Sequence, residues 1–235
     1  MVVEVLEEDC YDASSSERRD SYTDLSPGLK PGLEPGLATS LADDLSPDLA
    51  YELDCPVLVT ERLVLRPPHV EDVDAISYLA NNARVSGMLA RMPHPYTREN
   101  AVDFVERVRK GEMGNCIYAI TQAETGIFMG CCGIHPLDRG GGLEIGYWLG
   151  EPYWGHGFAT EAAHALIDLA FRATAIERLH VSCHASNGGS RRVIHKCGFQ
   201  FSSMGMADSL AAGNVPVERY VLDRRTWIGL RSWQS

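Results

Sequence analysis

One stretch limits the possible folds more than any other. A strand-like run, Glu144-Ile145-Gly146-Tyr147-Trp148-Leu149, passes through the turn Tyr153-Trp154-Gly155-His156-Gly157 and directly into a helix. From about Gly157 to Ala173 the apolar set Ala159, Ala162, Ala163, Leu166, Leu169 and Ala170 opposes a polar face of Glu161, His164, Asp168 and Arg172, the pattern of an amphipathic helix. A strand of this kind needs a sheet, and the helix needs a face of that sheet to cover. The first turn of a helix carries unpaired N–H groups at the positive end of its dipole, and glycine lets a phosphate approach them with no Cβ in the way. The turn therefore reads as an anion cradle, or as a tight helix start that needs glycine for sterics alone. Two nucleotide motifs are excluded: there is no G-x-x-x-x-G-K-[ST], and Thr160 stands where a dinucleotide fingerprint has its third glycine.

The flanking chain supplies that sheet. Leu63 to Arg66 reads as a short strand ended by Pro67-Pro68, and residues 70–80 as a helix with Val73, Ile76, Leu79 and Ala80 inward. Thr97 is a candidate N-cap for a second helix, whose Ala101, Phe104, Val105 and Val108 share a face and which ends at Gly111. Ile117 to Ile120, Ile127 to Ile134 and Glu144 to Leu149 form a strand meander. After the long helix come a strand (Arg178 to Cys183), a helix (Ser190 to Lys196), a strand (Phe199 to Ser203) and a last strand (Val217 to Leu222). Strands first, then alternation with helices, predict a mixed α/β sheet of about seven strands and four helices.

Charge separates this domain from what precedes it. All of the net charge of −11 belongs to residues 1–54, which hold 14 acids and 3 bases; residues 55–235 are balanced. The same tail repeats Pro27-Gly28-Leu29, Pro31-Gly32-Leu33 and Pro35-Gly36-Leu37, a spacing that defeats helix and ladder pairing. We expect a solvated acidic arm over 1–54, dispensable for folding, and one domain over 55–235. A net-neutral domain is not a nucleic-acid binder by charge, and no run approaches a bilayer span, so neither nucleic acid nor membrane is an expected partner. MVVEVLEEDC lacks the basic start and long apolar core of a secretory signal, and a cytoplasmic location is expected. Seven scattered cysteines without C-x-x-C predict reduced thiols, with no disulfide framework and no zinc ribbon.

Four ordered motifs now carry a resemblance. Thr60-Glu61-Arg62-Leu63-Val64-Leu65-Arg66, Glu144 to Trp148, Trp154-Gly155-His156-Gly157-Phe158-Ala159, and Asn187-Gly188-Gly189-Ser190 through Lys196-Cys197-Gly198-Phe199 together resemble the GCN5-related N-acetyltransferases (GNAT) over residues 57–227. Within that family they resemble the RimJ/RimL-like subgroup, which acetylates ribosomal-protein N-termini. Trp154 stands where the general family pattern has Arg or Gln, and Gly188-Gly189 put two poor helix formers into a first turn.

The resemblance implies a GNAT fold with a cleft between splayed fourth and fifth strands and acetyl-CoA as cosubstrate. The arm of the cosubstrate would follow Tyr147, Trp148 and Leu149, and its pyrophosphate would meet Trp154, Gly155, His156, Gly157, Phe158, Ala159 and Thr160. Asn187 and Ser190 would bond the pantetheine, Asn187 being equally an N-cap. Glu144 is the candidate base, acting through a water, since a carboxylate in an otherwise apolar strand asks for a reason; it could instead be a strand-end glutamate reaching solvent or an arginine. Ser190 is the candidate acid toward the leaving thiolate, with Tyr147 as its rival. No metal is expected: His180 and His184 share a strand face without a third ligand, and a covalent route through Cys131-Cys132 is less favoured than core packing.

The acceptor is read as an amine, first of all the α-amine of a protein or peptide, set by the loops Asn81–Tyr96 and Met206–Pro216. The alternatives are a small-molecule amine (polyamine, aminoglycoside or amino acid), or a catalytically weak acyl-CoA sensor.

Overall fold

The computed structural model describes residues 2–3, 55–114, 116–137 and 142–232. The acidic arm expected over 1–54 lies outside the described residues except for Val2 and Val3. In chain order the elements are β1 (Val2–Val3), β2 (Leu58–Val59), β3 (Leu63–Arg66), α1 (Val73–Ala80), α2 (Ala83–Ser86), α3 (Arg98–Arg109), β4 (Cys116–Gln122), β5 (Phe128–Pro136) and β6 (Leu143–Leu149). There follow α4 (Phe158–Ala173), β7 (Arg178–His184), α5 (Gly188–Lys196), β8 (Gln200–Ser209), β9 (Gly213–Asp223) and α6 (Arg224–Ser232). The strands form one mixed sheet in the order β2-β3-β4-β5-β6-β7-β9-β8, with β1 against β6. No helix among the described residues is long and apolar enough to cross a membrane.

The central strands are buried on both faces because helices cover both. Tyr118, Ile145, Tyr147 and Leu149 pack with Ala162, Leu166 and Ala170 of α4 on one side. On the other, Ala119, Cys131 and Trp148 pack with Val73, Ile76, Val85, Ala101 and Val105 of α1, α2 and α3. Thr97 caps α3 as its sequence predicts, its side chain accepting from the Asn100 amide.

One irregularity creates the cleft. β6 and β7 run parallel and are paired only at Leu143/Leu179 and Glu144/His180, after which they diverge. From Ile145 onward that edge of β6 has no partner in β7, and the backbone of Val2–Val3 pairs antiparallel with Trp148 and Tyr147 there.

Three expectations are corrected, and one short strand falls within the span of the predicted arm. Cys55 and Cys116 form a disulfide, with Cα atoms 5.3 Å apart across 61 residues of sequence, so not all thiols are reduced; spacing along the chain carries no sign of that approach. Val2–Val3 join the ladder although they belong to the predicted arm. The predicted loop Met206–Pro216 is the end of a long hairpin, β8 and β9 being paired out to Ser209/Gly213. Finally α6 follows the last predicted strand, fastened where Arg224 donates to the carbonyls of Phe171 (2.8 Å), Thr174 (2.6 Å) and Ile176 (2.8 Å), while Trp227 stacks on Phe171.

Candidate active site

The start of α4, beyond the end of β6, is shaped by backbone. Gly155 and Gly157 have φ of 82° and 85°, the left-handed region that disfavours other residues. A Cβ at Gly155 would meet nothing within 4 Å, and one at Gly157 only Arg62 Nη2 at 3.4 Å. Gly157 is the N-cap of α4 and provides no capping side chain, so the first-turn amides face open space. The opening motif braces this loop from the far end of the sheet. Arg62 donates to the His156 carbonyl at 3.0 Å, lies over the Phe158 ring and pairs with Glu161; Thr60 Oγ1 donates to the same carboxylate at 2.6 Å. Burial raises the Glu161 carboxyl, but the hydrogen bonds from Thr60 and Arg62 outweigh it and leave it below the usual carboxylate range.

The start of α5 is built differently. The Asn187 side chain caps α5 by accepting from the Ser190 amide at 3.0 Å. Ser190 is fully buried, and its Oγ lies 3.0 Å from the Tyr147 hydroxyl, so the two rival acids of the sequence reading touch each other. Burial pushes the Tyr147 hydroxyl well up, and it stays protonated.

Between these two helix N-termini lies a cavity of about 460 Å³ lined by Trp154, Gly155, Gly157, Thr160 and Asn187, with Arg84, Arg192 and Lys196 as its cations. Trp154 is fixed by its indole N–H donating to the Leu149 carbonyl at 2.7 Å, and Arg84, paired with Glu151, lies over its ring. His156, Phe158 and Ala159 do not line the cavity; Ala159 is in the core and the His156 and Phe158 rings pack together. The three cations escaped the sequence reading. Arg192 and Lys196 carry a readable signal, one face at i and i+4 of the helix capped by Asn187, whereas Arg84 is brought in from another element.

Glu144 is 2% exposed, and Ser182 Oγ donates to its Oε1 at 2.6 Å. It does not reach solvent. Alternation puts it on one face of the sheet with Gly146 and Trp148, and its cross-strand neighbours are His135 on β5 and His180 on β7. That face holds a second cavity, of about 330 Å³, floored by Gly133, His135, Gly146 and Trp148. The segment Asn81–Tyr96 walls it with Leu89, Arg91, Met92 and Tyr96; α3 adds Asp103, Phe104 and Arg107; the β8–β9 tip adds Leu210. Both acceptor loops named from the sequence therefore reach it.

Among the described residues no group of three or more His, Cys, Asp and Glu is arranged to hold a metal ion. Burial raises the Cys131 and Cys132 thiols far above their ordinary range, which removes the thiolate a covalent route needs.

The fold and this pair of cavities define an acyltransferase of the GNAT class, and comparison with known proteins agrees. A family model described as "Acetyltransferase (GNAT) domain" matches residues 62–200, and the chain belongs to that family of N-acetyltransferases. It is 30% identical to the uncharacterized N-acetyltransferase p20 of Bacillus licheniformis over 148 residues, 61% of this chain and 82% of that one. Two solved structures share the fold. One is a putative ribosomal-protein-serine acetyltransferase from Vibrio cholerae, with TM-score 0.59, 19% identity and coverage of 76% of this chain and 99% of that one. The other is the microcin C7 self-immunity acetyltransferase MccE in complex with acetyl-CoA and AMP, with TM-score 0.57, 20% identity and coverage of 70% and 93%.

Proposed function

We propose that this N-acetyltransferase carries acetyl from acetyl-CoA to the α-amine of a protein or peptide in the manner of the RimJ/RimL-like subgroup. The observation that carries the reading is the single-sided opening of β6. The edge that β7 leaves leads from Glu144 to the uncapped amides of α4, so an extended amide-bearing arm can follow the strand while its phosphates meet N–H groups and the cations Arg84, Arg192 and Lys196. Val2–Val3 claim the same edge, and an arm bound there requires their departure. MccE, of the same fold, is bound to acetyl-CoA, which supports the choice of cosubstrate.

In this reading Glu144 takes the amine proton through a water. The proton for the departing sulfur would come from the Ser190–Tyr147 hydroxyl pair, whose oxygens are 3.0 Å apart. Direct transfer needs no protein nucleophile, in keeping with the inert cysteines. Magnitudes favour an α-amine. Deprotonating an amine of pKa about 8 at pH 7 costs roughly 1.4 kcal/mol, against roughly 4.6 for a lysine near 10.4, and a carboxylate that is not part of the cavity wall suits the smaller task.

The acceptor cavity also argues against polyamines and aminoglycosides. The charged residues on its wall are Arg91, Arg107 and Asp103, with Arg107 ion-paired to Asp103 and Glu112, so the wall presents no acidic cluster to hold a polycation. The Vibrio cholerae relative in fold, described as a putative ribosomal-protein-serine acetyltransferase, supports a protein as acceptor.

The test is thiol release from acetyl-CoA across a panel of N-terminal peptides, spermidine, an aminoglycoside and free amino acids. Peptides should give the highest kcat/KM. A tenfold advantage for a small amine replaces the acceptor assignment, and tight acetyl-CoA binding without turnover of any amine replaces the enzyme by a sensor.

A further inference from the structure

His135 has no role in the motifs of the family, yet it lines the second cavity beside the strand that carries Glu144. It lies on β5 directly opposite Glu144 and forms part of the floor of the 330 Å³ cavity beside Gly146 and Trp148. Its two ring nitrogens have different surroundings. The ring hydrogen-bonds the Met113 backbone, a contact that favours a ring N–H, and Nδ1 is the nitrogen on that side, 3.5 Å from where a Gly114 Cβ would be. Nε2 is on the other side. A Cβ at Gly133 would lie 3.1 Å from it and 2.8 Å from both the Cys116 carbonyl and Ile117 Cδ1, so only a glycine lets the ring lie on the cavity floor with Nε2 beside Gly133.

A neutral imidazole with Nδ1 as donor has a lone pair on Nε2. We propose that His135 Nε2 accepts a hydrogen bond from the acceptor's amino group and orients that amine for attack. A primary amine has two N–H groups and one lone pair. With one N–H held by His135 and the other directed through water to Glu144, the lone pair is left for the acetyl carbon. His135 is thus a substrate-orienting contact and Glu144 remains the proton acceptor.

The protonation state agrees with this geometry. Burial, with the Arg91 charge beside it, pulls the imidazole down to about 4 against the opposing effect of the Met113 contact. The charged groups around the ring are Arg91 from the segment after α2, Asp103 and Arg107 from α3, and Glu144 from β6. Nε2 therefore stays a free acceptor throughout the range in which an α-amine titrates.

The inference rests on the acetyltransferase reading above, and the test separates the two. Steady-state kinetics with an Ala-initiated peptide and acetyl-CoA should show His135→Ala losing at least 30-fold in kcat/KM for the peptide while KM for acetyl-CoA changes less than threefold. His135→Gln, whose amide oxygen can reach the Nε2 position, should recover at least tenfold of that loss. Imidazole ¹⁵N shifts of the wild-type protein should report an Nδ1–H tautomer that does not titrate between pH 6 and 8. Unchanged peptide kinetics in a folded His135→Ala protein, Gln as inactive as Ala, or a His135 titration midpoint above 6 would each overturn the assignment. If the wild-type protein acetylates no member of the peptide and amine panel, it is the enzymatic reading that falls, and this inference with it.

Discussion

The two cavities beside β6 are made of different material. The one between α4 and α5 is walled by backbone amides, glycines and three cations, Arg84, Arg192 and Lys196. The one under α3 is walled by Leu89, Met92, Phe104 and Trp148, with Arg91, Asp103, Arg107 and His135 among them. A wall of amides and cations selects charge and tolerates variation in the rest of the ligand; an apolar wall selects shape and size. The difference teaches which half of a two-substrate site can be read from a motif. Amides are placed by turn chemistry that the local sequence spells out, whereas the apolar wall is gathered from five separate elements.

The largest expected effect would break this division at the amide wall. Gly157→Glu puts a carboxylate and a Cβ into the open space before α4, and calorimetry should find acetyl-CoA affinity reduced at least 100-fold, as expected where an anion must meet a like charge. A folded variant with wild-type affinity would show that the anion binds elsewhere.

Next in size is the effect at the buried carboxylate of β6. Glu144→Gln keeps an acceptor for Ser182 but removes the base, and turnover at pH 7 should fall about 10²-fold with acetyl-CoA binding nearly unchanged. The deficit should shrink as the pH rises past the acceptor's own pKa, because the amine then arrives neutral; it should fade at lower pH for an α-amine than for a lysine. A mutant-to-wild-type ratio that is flat from pH 6.5 to 9.5 would give Glu144 a purely structural place.

The smallest effect sharpens the contrast between the starts of α4 and α5. Asn187→Ala removes a side-chain cap that α4 does without, and chemical denaturation should show a loss of about 1 kcal/mol. Retained stability would mean that the Ser190 amide finds another partner.

Local chemistry made much of the fold legible. Leu63–Arg66 was bounded by its prolines, α3 by the Thr97 cap and Gly111, and α4 by its apolar stripe, since each signal lies within a few residues of its effect. The same holds for Gly155, Gly157 and Asn187, which line the cavity between the first turns of α4 and α5, whereas Glu144 and Ser190 are buried and line neither cavity. What was not legible depends on partners far along the chain. Cys55 and Cys116 meet across 61 residues, and α6 is held by an arginine that reaches carbonyls about fifty residues upstream. The β8–β9 hairpin extends past its predicted ends because each strand is completed by the other and not by its own pattern.

The sequence by itself determined the class of chemistry: a strand, a glycine turn and a helix in that order, with one carboxylate at the start of the strand, leave few other readings. Only the tertiary structure assembles the second cavity, the place we propose for the acceptor. His135, Ser182 and Arg84 lie in segments with no motif of their own, and they acquire meaning from cross-strand pairing, from a hydrogen bond to a buried carboxylate and from packing over Trp154. Turn geometry is enforced by neighbouring residues, so it is written locally. A cavity is the space left when distant elements pack, and no single stretch of the chain contains it.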